Sequence, residues 1–313
     1  MFRYAITYEL SKKYSLKWRH NPIAFIDENP LDKFAGKEEK KQYLEKLNSK
    51  ICPDESLDSQ PIFKCTIDKT LNPYKLRLIL NFCKILRFLP PIIDISLYRP
   101  QSYLSLVQPD LESYFSSIRK NFRVKLEDSD AIKIIVHIRG ALKTDRRTKP
   151  QLVHSILQHL QRKFASLERE IKFVIITDLP RFPKTWQVNI SNDPGTIAYL
   201  HEMGLIDPQG FCQLDSFDFE TKFDDIKNLT IERQSDPIES WEIMAGANLL
   251  IGCDSSLSII GAHLNTFGIK MFPRTLSDVL PRTWLFYDNN SKIESLDLTI
   301  VYQELENLVN DEA

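Results

Sequence analysis

"IIVHIRGALK" (residues 134–143) reads as a buried β-strand that ends on two polar side chains. Side chains alternate along a strand, so His137 and Arg139 share one face while Val136 and Ile138 point into the opposite layer. A guanidinium at the carboxyl end of such a strand is suited to fork onto phosphate oxygens. His137 can donate to a second anionic oxygen or orient the arginine. The same letters also fit a buried histidine capping a carbonyl beside an arginine paired with a local carboxylate.

Outward from this strand the alternation is regular. Leu152, Ile156, Leu160 and Phe164, four apart, predict a helix over 151–167, and "KFVIIT" (172–177) predicts an all-apolar strand that ends at Asp178. The stretch 185–235 predicts a helix near 195–203 and a short strand near 228–232. Asp236-Pro237, an N-cap followed by a first-turn proline, opens a helix over 237–247. "NLLIGC" (248–253) and "GIKMF" (268–272) predict strands, with a helix over 255–265 capped by Asp254 or Ser255. Strand–helix–strand repeats with continuous apolar strands imply a parallel sheet covered on both faces, whose ligands bind at the strands' carboxyl ends.

The second such end is "GCDSSLSIIGAH" (252–263), a strand entering a polar turn and then a helix. Free N–H groups and serine hydroxyls at a helix N-terminus bind phosphate without a glycine loop, although an Asp/Ser cap alone gives the same letters. Glycine is scarce, 9 of 313 residues, and no GxGxxG or Walker pattern occurs, so a phosphate site would have to be of this kind. Two anion-suited strand ends in one sheet favour a nucleotide-diphosphate pocket over two coincidental caps.

Before the strand at 132–138, the polar stretch "KLEDSDA" (125–131) marks a boundary between domains 1–126 and 127–313. The first half predicts an amphipathic helix over 2–14 (Phe2, Ala5, Ile6, Leu10) and a solvated helix over 37–50. It continues with a strand at 62–67, a helix at 73–89, a strand at 90–98 and a helix at 102–122 interrupted near Pro109.

Lys plus Arg (41) and Asp plus Glu (42) cancel, so no global field points to nucleic acid and any anion site must be local. Five cysteines without metal-like spacing read as free thiols in a reducing compartment. With no apolar run long enough to span a bilayer and no signal-peptide order, the expected location is cytoplasmic. Asp128-Ser129-Asp130 precedes its strand and reads as linker rather than metal site.

"VHIRG" resembles the VHIRRGD signature of the α-1,2-/α-1,6-fucosyltransferase superfamily. "DPIESWEIMAGANLLIGCDSSLSIIGAHLN" (236–265) resembles its other long motif, with Ala247-Asn248, Ile251, Ser255-Ser256-Leu257-Ser258 and Ala262-His263-Leu264-Asn265 in order and spacing. "MFRYAITYELSKKYSL" resembles the family's opening after its "GGLGNQ". The resemblance implies an α/β fold of two Rossmann-like halves (GT-B-like), parallel sheets covered by helices: an acceptor-side half 1–126 and a donor half 127–313. The family's first strand and glycine turn would lie upstream of Met1, leaving the N-terminal half incomplete.

It implies metal-independent, inverting transfer of fucose from the donor substrate GDP-fucose to a glycan acceptor hydroxyl, with no cofactor. Arg139 would bind the β-phosphate beside His137, and the Ser255/Ser256 turn, with Asp254, would anchor the diphosphate. Asp178 and Glu239 are the carboxylates offered as general base. The second arginine of the family motif is Gly140 here, and Lys143, Arg146, Arg147 or Lys149 would have to supply that charge. The alternative is a non-catalytic nucleotide- or glycan-binding relative that has lost turnover. A third is an α/β protein with no sugar ligand.

Overall fold

The computed structural model describes residues 8, 10, 37–51, 63–67, 74, 75, 78, 81, 91–95, 111–124, 131–140, 148–165, 169–182, 184–187, 211–214, 216–233, 235–278, 280–287 and 299–310. The chain forms two compact units, Met1–Ile26 with Lys37–Arg123, and Asp27–Gly36 with Val124–Ala313.

In the first unit, helix α1 (Lys37–Ile51), strand β1 (Phe63–Ile67), strand β2 (Pro91–Ile95) and helix α2 (Leu111–Arg119) follow in order. β1 and β2 pair in parallel. Among the described residues, Tyr8, Leu10, Ile51, Tyr114, Phe115 and Ile118 are buried. Tyr114 can be buried because its hydroxyl donates to the Ile51 carbonyl (2.9 Å), meeting the need of a polar tip inside a core. Of the helix expected over 2–14, only Tyr8 and Leu10 lie within the described residues, and both are helical.

The second unit is built on six strands: β3 (Ile132–Ile138), β4 (Ile171–Thr177), β7 (Leu229–Arg233), β8 (Leu249–Ile251), β9 (Ile269–Pro273) and β10 (Leu285–Tyr287). Their spatial order is β10-β9-β8-β3-β4-β7, and every neighbouring pair is parallel. Numbered within the sheet this is 3-2-1-4-5-6, the doubly wound Rossmann order. The fold class is therefore α/β with a helix-flanked parallel sheet, as the apolar strands lead one to expect.

Helix α3 (Pro150–Lys163), short α4 (Phe219–Lys222) and α7 (Thr299–Asn310) cover one face. Ile132, Ile134, Val136 and Ile138 bury against them, together with Ile156, Leu157, Leu160, Phe219, Val301 and Leu305. α5 (Pro237–Ala245) and α6 (Ser256–Leu264) pack together, with His137 meeting α6. Caps start each as its residues dictate: Asp236 accepts from the Ile238 amide (2.8 Å), and Ser255, rather than Asp254, accepts from the Leu257 amide (3.2 Å).

Two asparagines, Asn248 half-buried and Asn265 buried, set the joints. Asn248 Oδ1 accepts from the Lys133 amide (2.8 Å) at the foot of β8. Asn265, after α6, donates to the carbonyls of Met244 and Ala247 and accepts from the amides of Phe267 and Gly268. An antiparallel pair outside the main sheet, β5 (Lys184–Gln187) with β6 (Phe211–Leu214), completes the unit. The helix expected near 195–203 lies outside the described residues. Among the described residues no helix is long and apolar enough to cross a membrane.

Candidate functional site

β3 and β8 are sheet neighbours, yet the residues that meet across them are 115 positions apart. Here the strand order reverses. The chain leaves β3 for α3 on one face and leaves β8 for α6 on the other, which opens a crevice at the carboxyl edge. His137 and Arg139 end β3; Gly252, Cys253, Asp254 and Ser255 end β8. The topology brings the two sequence-predicted strand ends to this one crevice.

Arg139 spans it. Its guanidinium Nη1 donates to the Asp254 carbonyl at 3.0 Å, and its backbone carbonyl accepts from the Thr148 amide (3.3 Å). The residue is half-buried, and among the described residues it makes no ion pair. A charge-bearing fork held by one neutral carbonyl keeps most of its donors for another acceptor.

His137 is more deeply set, 3% exposed, with Nδ1 at 2.5 Å from Ser258 Oγ and 3.4 Å from Cys253 Sγ. Burial, reinforced by the Arg139 charge, pushes its pKa down to about 3, so the imidazole is neutral at physiological pH. Burial also pushes the Cys253 thiol up to about 11, which keeps it protonated and unreactive.

On the β8 side the turn is held closely. The Gly252 amide donates to Met271 and its carbonyl accepts from the Tyr287 hydroxyl (2.8 Å). A Cβ at Gly252 would fall 2.3 Å from the Phe272 ring, so only glycine fits. Ser255 is buried as the cap, while Ser256 is exposed at the first helical position. A first-turn N–H has no carbonyl inside the helix to bind, which leaves the Ser256 amide open to an acceptor.

Asp178 ends β4 next door, and its Oδ1 accepts from the Gly140 amide at 2.5 Å, clipping the two strand ends together. Leu179 packs where a side chain on residue 140 would go: a Cβ there would lie 2.0 Å from Leu179 Cδ2. Glu239 lies in the first turn of α5. Lys143, Arg146 and Arg147 lie outside the described residues, as does Asp128-Ser129-Asp130. Among the described residues no three His, Cys, Asp or Glu side chains gather as a metal cluster.

Sequence reasoning missed Thr148, Leu179, Cys253 and Ser258. Ser258 had a readable signal: a lone hydroxyl on the buried face of "SLSIIGAHL".

No protein-family model matches the chain, and no curated protein matches it. Among solved structures, E. coli heptosyltransferase WaaC with ADP-2-deoxy-2-fluoro heptose is similar at a TM-score of 0.38. The identity is 12%, covering 88% of this chain and 79% of that chain. The same enzyme with ADP gives the same values. A likeness this slight fixes neither fold nor function.

Proposed function

We propose that this protein is a glycosyltransferase whose nucleotide-diphosphate sugar sits at the β3/β8 crevice, its phosphates between Arg139 and the first turn of α6. The observation that carries the reading is the Arg139 bridge to the Asp254 carbonyl. A half-buried guanidinium without an ion-pair partner among the described residues stands at the topological switch point, beside a helix N-terminus. In transfer, an acceptor hydroxyl attacks the sugar carbon and gives up its proton to a general base, while the bond from that carbon to the phosphate oxygen breaks and its electron pair leaves on the diphosphate. Arg139 and the turn amides offset that charge without reorganising.

The finer reading is inverting, metal-independent transfer of fucose from GDP-fucose to a glycan hydroxyl. It rests on the motif resemblance over 236–265 and at 136–140. Several of the matched letters have fold duties here, however. Asn248 and Asn265 staple backbone, and Ser258 holds His137.

A charge-assisted bidentate contact is worth roughly 1.5–3 kcal/mol, or about 10- to 150-fold in affinity. Calorimetry with GDP should therefore show Arg139→Ala losing affinity by that factor while melting like the parent. Equal GDP affinity in the two proteins would remove the phosphate clamp.

One observation favours a second reading, a binding protein without turnover. Leu179 fills the place of the motif's second arginine, and Asp178, a candidate base, is engaged by the Gly140 amide. GDP release from GDP-fucose across an acceptor panel separates the two: binding without release supports the second.

A further inference from the structure

Behind the crevice lies a buried cluster that the proposed reaction does not use directly. Ser258 is fully buried, Cys253 is 1% exposed and His137 3%. Ser258 Oγ lies 2.5 Å from His137 Nδ1, accepts from the Cys253 amide at 3.2 Å, and lies 3.4 Å from Cys253 Sγ. A serine hydroxyl has one proton to give and two lone pairs to offer. The Cys253 amide takes one lone pair. Both groups that face Nδ1, the hydroxyl and the thiol, bring protons of their own, and the ring is neutral. With the hydroxyl donating to Nδ1, the neutral imidazole carries its proton on Nε2.

The cluster ties residue 137 of β3 to residue 253 after β8. Two residues on from His137 and one on from Cys253, Arg139 reaches Asp254. Two crossings therefore span the switch point. The inner one is neutral, buried and out of a ligand's reach; the outer one is charged and half-buried. The inner crossing sets the spacing at which the outer one works.

We propose that Ser258 is a positioning residue of the anion site, donating to His137 Nδ1 and accepting the Cys253 amide so that Arg139 and the α6 turn face one diphosphate. The inference rests on the nucleotide-diphosphate reading above, and its tests separate the two. Losing the hydroxyl leaves a buried amide unsatisfied and slackens the crossing, a defect of a size that costs about 5- to 150-fold in an equilibrium constant.

The first test needs no ligand: ¹⁵N NMR of histidine-labelled, full-chain protein, with the His137 signal assigned by its loss in His137→Asn. An Nε2–H tautomer that does not titrate between pH 5 and 8 is expected, and an Nδ1–H tautomer overturns the proposal. The second is calorimetry with GDP and with ADP. Ser258→Ala is expected to lose at least fivefold in affinity, and Ser258→Thr, which keeps the hydroxyl, to recover most of it. If Ser258→Ala binds like the parent while Arg139→Ala does not, the positioning role fails and the site stands. If Arg139→Ala also binds like the parent, the site itself fails. Should Ser258→Ala not fold, the tautomer decides.

Discussion

The contact between Gly140 and Leu179 is a matter of volume before it is one of charge. Leu179 is 6% exposed and belongs to the core behind β3 and β4, so it has little room to step aside. Gly140→Ala should therefore destabilise by about 1–3 kcal/mol, the usual cost of overpacking. Leu179→Ala should cost about 2–5 kcal/mol as a cavity. Because the added methyl would occupy the space the leucine leaves, the double variant should lose less than the sum. Urea melts of the four proteins measure that coupling, and strict additivity would mean the contact is relieved by backbone movement instead. The same volume leaves no room for a side chain at residue 140.

At the level of elements, the α6 turn offers an unusually clean probe. Ser256 is the first helical residue, where proline is well tolerated, and Ser255 before it is extended at φ −143°, ψ 135°, as a residue preceding proline must be. Ser256→Pro should leave the melting temperature within a few degrees while deleting one outward N–H. A drop in GDP affinity, read by calorimetry, would mark that amide as a phosphate ligand; unchanged affinity would make the turn a helix cap only.

The start of α6 was legible because Asp and Ser before an apolar run have few other uses, although which of them caps was not. The strands β3, β4, β8 and β9 were legible because continuous apolar runs must be buried on both faces. β5 and β6 were not: "KTWQ" and "FCQL" are four residues each, partly polar, and pair across a long separation. α7 was overlooked despite Val301 and Leu305 at helical spacing, both buried. Neither Leu179 behind Gly140 nor Thr148 against Arg139 leaves a sequence signal, since both depend on how distant segments meet.

At the scale of the whole molecule, the buried neutral His137 couples global stability to pH. Its folded pKa lies far below the ordinary 6.5, so below 6.5 the unfolded chain takes up a proton that the folded chain refuses. Stability should thus fall as pH drops from 6.5, and this contribution should level off near 3. Asp218, Glu220 and Asp225, held below the usual carboxylate range by their hydrogen-bond partners, add losses in the same direction only in more acid solution. Between pH 6 and 5 the histidine contribution is about 1 kcal/mol. Urea melts at the two pH values should show His137→Asn losing that much less than the parent. An identical pH dependence would mean His137 is protonated in the folded state.

The sheet order also has a consequence for a chain still on the ribosome. β3 is made first and lies at the centre, but its partner on one side, β8, follows about 115 residues later. At 5–20 residues per second that is on the order of ten seconds, during which β3 and β4 can pair while the other edge of β3 stays open. An apolar edge left unpaired for that long is a place for a chaperone or for a wrong neighbour. Arg139 meets the carbonyl of Asp254 only once that wait is over, so nascent chains cut short before β8 would carry half of the crevice and none of its geometry.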